Sequence, residues 1–270
     1  MPELPEIMSR AKELKAELIG LTIEHITVLQ PKCLNLSSAG FIKSLKHAKI
    51  LEVSSKGKWI LIRTDRGWWL VNMGMGGELL LVTRDSLPKK YRLLFDFSDE
   101  RTLAINFWWF GYSHFDKQDQ LDQHPMISKL GPNALEISPS EFASLIHNQR
   151  GRIKSILLDQ SRIAGIGNAY IHDILFLSGI HPLRPSNSLN EEEISRLFTA
   201  IHKGLEPSLK KGGAWYELNI YGKPGGFQQS DILIGYRAGS PCPMCHEPII
   251  KIQTGSTSSF ICPNCQKISP

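Results

Sequence analysis

Cysteine is scarce in this chain of 270 residues: there are five, and four of them lie in two pairs near the C-terminal end. Long apolar segments are missing too, because no apolar run reaches the roughly 18 residues that span a bilayer. The acidic first residues lack the basic-then-apolar pattern of a signal peptide. We therefore expect a cytoplasmic location, no membrane partner and reduced thiols, which excludes a disulfide framework.

The chain has only a small excess of positive over negative charge. The net charge is +5 and the isoelectric point is about 8.9, a mild basic excess that fits a polyanionic partner without requiring one. Hydrophobic residues make up 41% of the chain, enough for a real core. The length allows two modest domains and a small appendage.

The first half of the chain has one helical pattern followed by strand patterns. Apolar residues repeat at helical spacing over residues 4–20, where Pro5 suits the first turn and Gly20 suits the end. Seven short strands are predicted in residues 21–115, which indicates an antiparallel sandwich or barrel. These strands are Leu21–Leu29, Lys49–Ser54, Trp59–Thr64, Trp68–Asn72, Glu78–Val82, Tyr91–Phe97 and Thr102–Phe107.

The second half is predicted to be mainly helical, after a polar linker at residues 116–123. Ser138 to Glu141 and Ser188 to Glu191 have the pattern of capping boxes that open helices. Two more helical segments, Ile153–Leu158 and Tyr170–Leu177, lie between them. Residues 211–231 are Gly-rich and predict a loop.

The four paired cysteines have the spacing of a metal site. Two residues separate the members of each pair, and sixteen separate the pairs, so four thiolates can surround one ion. The sequence therefore predicts one structural zinc ion at Cys242, Cys245, Cys262 and Cys265, with a β-hairpin between the pairs. A closed four-sulfur site does no chemistry. It either contacts nucleic acid or only stabilises the fold, and both alternatives stay open.

The residues after Met1 can form a nucleophile. If Met1 is removed, Pro2 carries an N-terminal secondary amine whose ordinary pKa is about 8, and the positive end of a helix favours its neutral form. Such an amine can attack a sugar C1′ and form a Schiff base. Glu3 can then handle protons, with Glu6 one helical turn further on. The alternative is that Met-Pro-Glu is simply a common opening of a chain.

Several motifs together are similar to one known family, the formamidopyrimidine-DNA glycosylases and endonucleases VIII. Leucine at position 4 is typical of the formamidopyrimidine branch. The motifs run in the family's order from residue 2 to residue 265, and cover nearly the whole chain. They are residues 2–7, 56–59, 73–77, 156–160, 163–170, 175–182, 222–225 and 227–229, and the terminal cysteine cluster.

The resemblance implies an α+β multidomain protein. Residues 1–118 would form an N-terminal helix with an antiparallel β-sandwich, residues 132–235 a helix–two-turns–helix domain, and residues 236–270 a β-hairpin zinc finger. It implies a bifunctional glycosylase and abasic-site lyase of base excision repair, which acts through a Schiff base and elimination. The expected partner is double-stranded DNA with a damaged base or an abasic site, bound by a nucleoid-associated monomer.

The resemblance also implies roles for single residues. Pro2 would be the Schiff-base nucleophile, Glu3 the general acid and Glu6 a supporting carboxylate, while Lys58 would contact phosphate beside the lesion. The implied DNA contacts are Met75 as the wedge that fills the gap left by the everted nucleotide, Phe110 as a second wedge, and Asn168 and Tyr170 in the turn that enters a helix.

Three departures from the family pattern bear on the substrate. Trp108 replaces the arginine that reads the unpaired base, so stacking would replace directed hydrogen bonds; alternatively Trp108 and Trp109 only pack the sandwich. Thr257 replaces the phosphate-binding arginine of the zinc-finger hairpin, which lowers the charge available to DNA. Residues 213–221, which cover the extruded base in the formamidopyrimidine branch, are aromatic here.

These departures leave the excised lesion, the preferred opposite base and the extent of elimination open. They also leave a second function open, a protein that binds damaged or abasic DNA with weak or no catalysis. A zinc-ribbon transcription or structural module is a third possibility, but it explains only the last thirty residues.

Overall fold

The computed structural model describes residues 1–255 and 257–268, and these divide into two compact units. Unit 1 comprises residues 1–129 and 211–226; unit 2 comprises residues 130–210 and the described residues from 227 onward. Segment 211–226, which the sequence analysis groups with the second domain, therefore belongs to unit 1 by its contacts. The domain bounds 1–118, 132–235 and 236–270 stay a prediction.

Unit 1 begins with helix α1, which packs against the hairpin of β2 and β3. Proline in the first turn and a reciprocal cap between Glu3 and Glu6 start the helix. Its apolar residues Ile7, Leu14 and Leu18 are buried, as their helical spacing predicts. The elements of unit 1 are α1 (Leu4–Leu18), β1 (Ile23–Val28), α2 (Ser38–Leu45), β2 (Ile50–Lys56), β3 (Trp59–Thr64), β4 (Gly67–Asn72), β5 (Glu78–Thr83), β6 (Leu93–Phe97), β7 (Arg101–Asn106) and β8 (Tyr112–Asp116).

The strands of unit 1 form two antiparallel four-stranded sheets. Their strand orders are β1-β6-β7-β5 and β2-β3-β4-β8. The inner faces share one core, in which Trp69 of β4 stacks on Phe95 of β6 with ring centroids 4.0 Å apart. The predicted antiparallel sandwich is confirmed.

Two elements of unit 1 were not predicted. Helix α2 interrupts the region that the sequence analysis assigns to strands; Ser37 caps it by accepting a hydrogen bond from Gly40 N at 3.1 Å, and Phe41 and Leu45 bury one face. Strand β8 pairs with β4 immediately before the predicted linker. Gly40, a poor helix former, weakens the helical pattern of α2 in the sequence.

The described residues of unit 2 form four α-helices and one hairpin. They are α3 (Pro139–His147), α4 (Ile153–Leu158), α5 (Ile171–Ser178), α6 (Glu191–Lys210), β9 (Ile250–Thr254) and β10 (Thr257–Ile261). The predicted capping box at Ser138 and Glu141 is present. The predicted fold class, with an N-terminal helix, antiparallel sheets, a helical domain and a terminal hairpin with a cysteine cluster, is confirmed.

The predicted box at Ser188 and Glu191 is wrong by two residues. Asn190 caps α6 instead: its Oδ1 accepts from Glu193 N at 2.9 Å, and Glu193 Oε2 accepts from Asn190 N at 3.0 Å. Ser188 lies in a short 3-10 turn, so its hydroxyl bonds back to Pro185 O. Among the described residues, no helix is both long and apolar enough to cross a membrane.

Candidate active site

The start of α1 holds two carboxylates under the first residues of the chain. Pro2, Glu3 and Glu6 are buried, whereas Met1 is half exposed. Glu6 uses both oxygens: Oε2 accepts from Glu3 N at 2.9 Å and Oε1 accepts from Ala214 N at 3.1 Å. Glu6 therefore joins the helix start to the segment that follows residue 211.

Four residues of α1, spaced about one helical turn apart, bind that segment. Besides Glu6, the helix offers Arg10, Glu13 and Glu17, which share one face because they are spaced three or four residues apart. Their partners are Gly212 O and Leu218 O for Arg10, Ile220 N for Glu13, and the Tyr221 hydroxyl for Glu17. The Gly-rich segment is a loop, as predicted, but one that the helix anchors at both ends.

Glu217 lies between these anchors and faces the N-terminus. Its Oε1 is 3.9 Å from the amino nitrogen of Met1, and the residue is only 8% exposed. Burial raises the pKa of Glu217 to about 7; the N-terminal ammonium opposes this shift and the Glu6 carboxylate adds to it. A carboxyl group with this pKa exchanges a proton near neutrality, which is what acid–base chemistry needs.

A cavity of about 120 Å³ opens beside Glu217. One wall comes from residues 216–218, and the opposite wall from Gly76, Gly77 and Glu78 at the start of β5, with Trp108 closing the side. The cavity therefore joins the segment that contacts the N-terminus to the turn that carries Met75.

Lys58 lies in the two-residue turn between β2 and β3, where Gly57 adopts a positive φ of 57°. Asn72, at the end of β4, donates from Nδ2 to Lys58 O at 3.0 Å and accepts from Gly74 N at 3.0 Å. The side-chain amide of Asn72 thus joins the turn of Lys58 to the turn of Met75 through hydrogen bonds. In the sequence Asn72 was predicted only as the end of a strand.

Met75 and three aromatic residues form one apolar tip on unit 1, which we call the aromatic tip: Met75, Trp108, Trp109 and Phe110. Met75 N donates to Trp109 O at 2.8 Å, so the two loops are joined. The exposed fractions are 49%, 68%, 65% and 68% in chain order. The alternative that Trp108 and Trp109 only pack the sandwich is wrong, because two thirds of each side chain is exposed.

The geometry of the tip depends on close backbone approach. A Cβ at Gly74 would lie 2.2 Å from Trp109 O, and Gly74 has a positive φ of 57°, so glycine is required there. Phe110 also adopts a positive φ, of 54°, which is uncommon for a bulky residue and is a form of strain found at functional sites.

In unit 2, Asn168 and Tyr170 lie in the turn that enters α5. The Oδ1 atom of Asn168 is buried and has no hydrogen-bond partner among the described residues. Tyr170 is buried, and its hydroxyl lies 2.6 Å from Ser208 Oγ of α6. The ring of Tyr170 therefore fixes the turn, while Asn168 has capacity to bind a further group.

Thr257 begins strand β10 and is bound by a lysine that sequence analysis missed. The Nζ atom of Lys154 donates to Thr257 Oγ1 at 3.0 Å, Thr254 Oγ1 at 3.1 Å and Ser258 O at 2.7 Å. Burial lowers the pKa of Lys154 to about 8. A lysine of α4 thus supplies positive charge directly below the hairpin position where an arginine was expected.

The four paired cysteines meet in unit 2. Their sulfur atoms all lie within 4.8 Å of one another, and the closest pairs are 3.4 to 3.9 Å apart. Backbone N–H groups of Met244 and Cys265 point to Cys242 Sγ and Cys262 Sγ, as in metal-binding turns. This cluster can bind a metal ion, and the predicted β9–β10 hairpin lies between the two pairs.

The structure thus brings the predicted residues together in separate groups. Unit 1 holds Pro2, Glu3 and Glu6 at the start of α1, and it holds Lys58 and the aromatic tip on two linked turns. Unit 2 holds Asn168 with Tyr170, Thr257 with Lys154, and the cysteines. Glu217 and Lys154 were not predicted as site residues because their partners are distant in sequence. The sequence offered one indication, the carboxyl group of Glu217 within an otherwise aromatic segment.

Comparisons with known proteins agree with this arrangement. Residues 1–106 match the formamidopyrimidine-DNA glycosylase N-terminal domain, and residues 130–218 match the formamidopyrimidine-DNA glycosylase H2TH domain. The formamidopyrimidine-DNA glycosylase of Chloroflexus aurantiacus is 34% identical over 98% of both chains, and that of Methylobacillus flagellatus is 32% identical over 100% of this chain and 98% of its own.

Solved structures of similar fold include a Lactococcus lactis FPG mutant in complex with DNA that contains Fapy-dG. It has a TM-score of 0.90 and 27% identity, and the match covers 98% of this chain and 100% of that one. MutM (Fpg) of Thermus thermophilus has a TM-score of 0.87 and 27% identity over 100% of both chains. Two matching domains over most of the chain and relatives above 30% identity over its full length show that this chain belongs to the formamidopyrimidine-DNA glycosylase family.

Proposed function

We propose that this chain is a DNA glycosylase of base excision repair that also cleaves the abasic site it creates. Its family membership supports the glycosylase activity, and similar Lactococcus lactis proteins were solved with DNA containing Fapy-dG or an abasic site. The observation that carries the proposal is the buried start of α1, which holds Pro2, Glu3 and Glu6 directly after the Met1 amine that faces Glu217. Glu217 in turn lines an open cavity.

The proposed reaction begins after removal of Met1. The neutral amine of Pro2 forms a bond to the sugar C1′, and the bond from C1′ to the base breaks with its electron pair, so the base leaves and takes up one proton. The amine then loses its last proton while O4′ leaves C1′ and gains one, helped by Glu3, and a cationic Schiff base remains. Loss of a C2′ proton expels the 3′ phosphate.

The proposed DNA contacts follow the groups described above. Lys58 and Asn168 would bind phosphates, the latter by donating from its side-chain Nδ2. Met75, Trp108 and Phe110 would fill the space that the everted nucleotide leaves and stack on the unpaired base. Tyr170 would hold the Asn168 turn, and Thr257 would donate its hydroxyl to phosphate while Lys154 supplies the charge. Chromosomal DNA as substrate implies action at the nucleoid, by a monomer.

Zinc is the metal we propose for the cysteine cluster. A tetrahedral Zn²⁺ with four thiolates at 2.3 Å requires sulfur–sulfur distances of about 3.8 Å, and the closest pairs here are 3.4 to 3.9 Å apart. When bound, the ion supplies folding energy and no reaction chemistry, since all four positions are protein ligands. Cys242, Cys245, Cys262 and Cys265 would hold the hairpin of Thr257 in place.

A cleavage and trapping assay tests the proposal. Purified protein, with loss of Met1 confirmed by mass, should form a covalent adduct with abasic duplex DNA under borohydride and should cut duplexes from a panel of defined lesions. Pro2→Gly should lose both activities and retain DNA binding. The neutral Thr257 and the loss of the reading arginine favour a second candidate, a protein that binds damaged DNA without cutting it; binding with no adduct from the processed wild-type protein would establish that candidate instead.

A further inference from the structure

Glu217 holds its position through its backbone rather than its side chain. Its N–H donates to Ala214 O at 3.0 Å, and its carbonyl accepts from Gly225 N at 3.0 Å. The neighbouring residues are anchored to α1 by Arg10 and Glu13. The fold therefore presents the carboxyl group to the N-terminus without using that group to build the loop.

The charges around this carboxyl group are unbalanced. Glu3 and Glu6 approach from α1 and Glu78 from β5 on the shared cavity, while the N-terminal amine and Arg10 are the cations that act on Glu217. Arg10 is already bound to Gly212 O, Leu218 O and Glu13. The amine is therefore the cation that the Glu217 carboxylate faces directly, at 3.9 Å from Met1 N.

The two carboxylates at the start of α1 have structural tasks. Both oxygens of Glu6 accept backbone N–H groups, and Glu3 takes part in the reciprocal cap of α1. These backbone bonds hold the two side chains in one orientation. Glu217 differs, because its side chain borders the cavity and meets the N-terminus instead of the backbone.

We infer that Glu217, which lies 3.9 Å from the amine of Met1 in the unprocessed chain, becomes the counter-ion of the Pro2 amine once Met1 is removed, and of the iminium cation that the Pro2 amine forms with deoxyribose. The inference rests on the proposed function and adds a residue to its site. When the neutral amine attacks C1′, positive charge develops on the sugar and nitrogen, and the Schiff base keeps one full positive charge. A carboxylate that is already in place at the start of α1 would stabilise this charge as it forms.

The advantage of such a counter-ion depends on pH. Above the ordinary pKa of a secondary amine, about 8, the ground state has a neutral amine, and only the transition state gains from the carboxylate. At lower pH the amine is protonated in the ground state, and the carboxylate stabilises this cation as much as it stabilises the transition state. The rate advantage over a variant without the carboxylate therefore shrinks. Burial raises the pKa of Glu217 to about 7, so below that pH the carboxylate becomes neutral and the advantage disappears.

Single-turnover trapping on abasic duplex DNA tests the inference, with wild-type protein, Glu217→Gln and Glu217→Asp compared from pH 5.5 to 9. The wild type should form its adduct at least about tenfold faster than Glu217→Gln at pH 9, and the two rates should agree within about twofold at pH 5.5. Glu217→Asp should recover part of the rate at high pH. Affinity for an uncleavable abasic analogue should be the same in all three.

Glu17→Gln is the matched control, because Glu17 binds Tyr221 of the same loop and Arg101 but does not face the N-terminus. This variant should follow the wild-type profile. A Glu217→Gln/wild-type rate ratio that does not change with pH, or no rate difference at any pH, overturns the inference while the proposed function stands. Absence of an adduct from processed wild-type protein instead overturns the proposed function. Should Glu217→Gln be misfolded, the Glu217→Asp profile decides alone.

Discussion

Trp108 is the single residue that most changes how this chain can read DNA. Its indole is two thirds exposed at the aromatic tip, and it offers a stacking face and one N–H donor where family members carry an arginine. Stacking tolerates every base, since each has a π-face. We therefore expect weak preference for the base opposite the lesion.

Replacing Trp108 with Arg should create such a preference. A guanidinium can make two directed hydrogen bonds to one base edge, and each good bidentate pair discriminates by about tenfold or more. Excision rates on one lesion opposite each of the four bases measure this. Trp109→Arg serves as the control, because it adds the same charge to the tip at a neighbouring position. Identical base profiles for wild type and Trp108→Arg would show that this residue does not meet the opposite base.

The buried imidazole of His114 should make the stability of the fold depend on pH. His124 Nδ1 accepts from Met126 N and Ile127 N, so the proton of neutral His124 lies on Nε2, which is 3.0 Å from His114 Nδ1. Burial, with a smaller contribution from His124, lowers the pKa of His114 to about 4. The folded state therefore prefers the neutral ring.

The sign of the effect follows from the pKa values. Between the unfolded pKa of about 6.5 and the folded value near 4, the unfolded state binds the extra proton, so the stabilisation is complete above pH 6.5 and is lost as the pH falls. The wild type should lose about 2 kcal/mol more unfolding free energy between pH 7 and pH 5 than His114→Gln does. Denaturant titrations at both pH values measure the difference; parallel losses in the two proteins would refute it.

At the scale of elements, α1 does two tasks that its sequence pattern shows only in part. The apolar spacing of Ile7, Leu14 and Leu18 predicted the buried face. The sequence pattern assigned no position to Arg10 of the same helix, which is almost fully buried. Two of its partners, the carbonyl groups of Gly212 and Leu218, lie more than 200 residues further along the chain, and no local pattern encodes such a contact.

Arg10→Met should destabilise unit 1 by about 3 kcal/mol, because it leaves Glu13 and two carbonyl groups without their buried partner. Thermal or denaturant unfolding measures the loss. Arg196→Met is the control, since its ion pair with Glu192 is exposed and should contribute less than about 0.5 kcal/mol. Equal effects in the two variants would mean that the contacts of Arg10 with the 212–221 loop contribute little to the unfolding free energy.

Local chemistry explains which other elements were predictable. Repeated C-x-x-C spacing fixed the cysteine cluster, and the alternating strands gave most of both sheets. Helix α2 was missed because Gly40 weakens its pattern, and the cap of α6 was misplaced because Ser188 and Asn190 both precede acidic residues. The contact decides between the two caps, since Asn190 bonds with Glu193 and Ser188 does not.

We expect the cysteine cluster, with its ion bound, to add to the stability of the hairpin of β9 and β10, in which Phe260 and Ile261 are also buried. One zinc ion per chain should be measured by metal analysis, and Cys262→Ser should lose it together with the hairpin's ordered amide signals. Cys33→Ser, outside the cluster, should keep the metal. Retention of a full equivalent of zinc by Cys262→Ser would contradict the four-thiolate site.

At the scale of the whole molecule, the sequence predicted the family and the order of its parts, because the motifs are local and appear in register along the chain. What it did not predict is which distant segments complete each site. The segment 211–226 belongs to unit 1, where it brings Glu217 to the N-terminus. Lys154 likewise reaches a hairpin a hundred residues away.

The central claim is that Pro2, once exposed as the N-terminal residue, bonds to the damaged nucleotide. The most direct measurement is peptide mapping of the borohydride-reduced adduct by mass spectrometry. The account predicts that the deoxyribose remnant is found on the N-terminal peptide that begins at Pro2, attached to its nitrogen. An adduct on Lys58 or another lysine, or a chain that keeps Met1 and is still fully active, would contradict it.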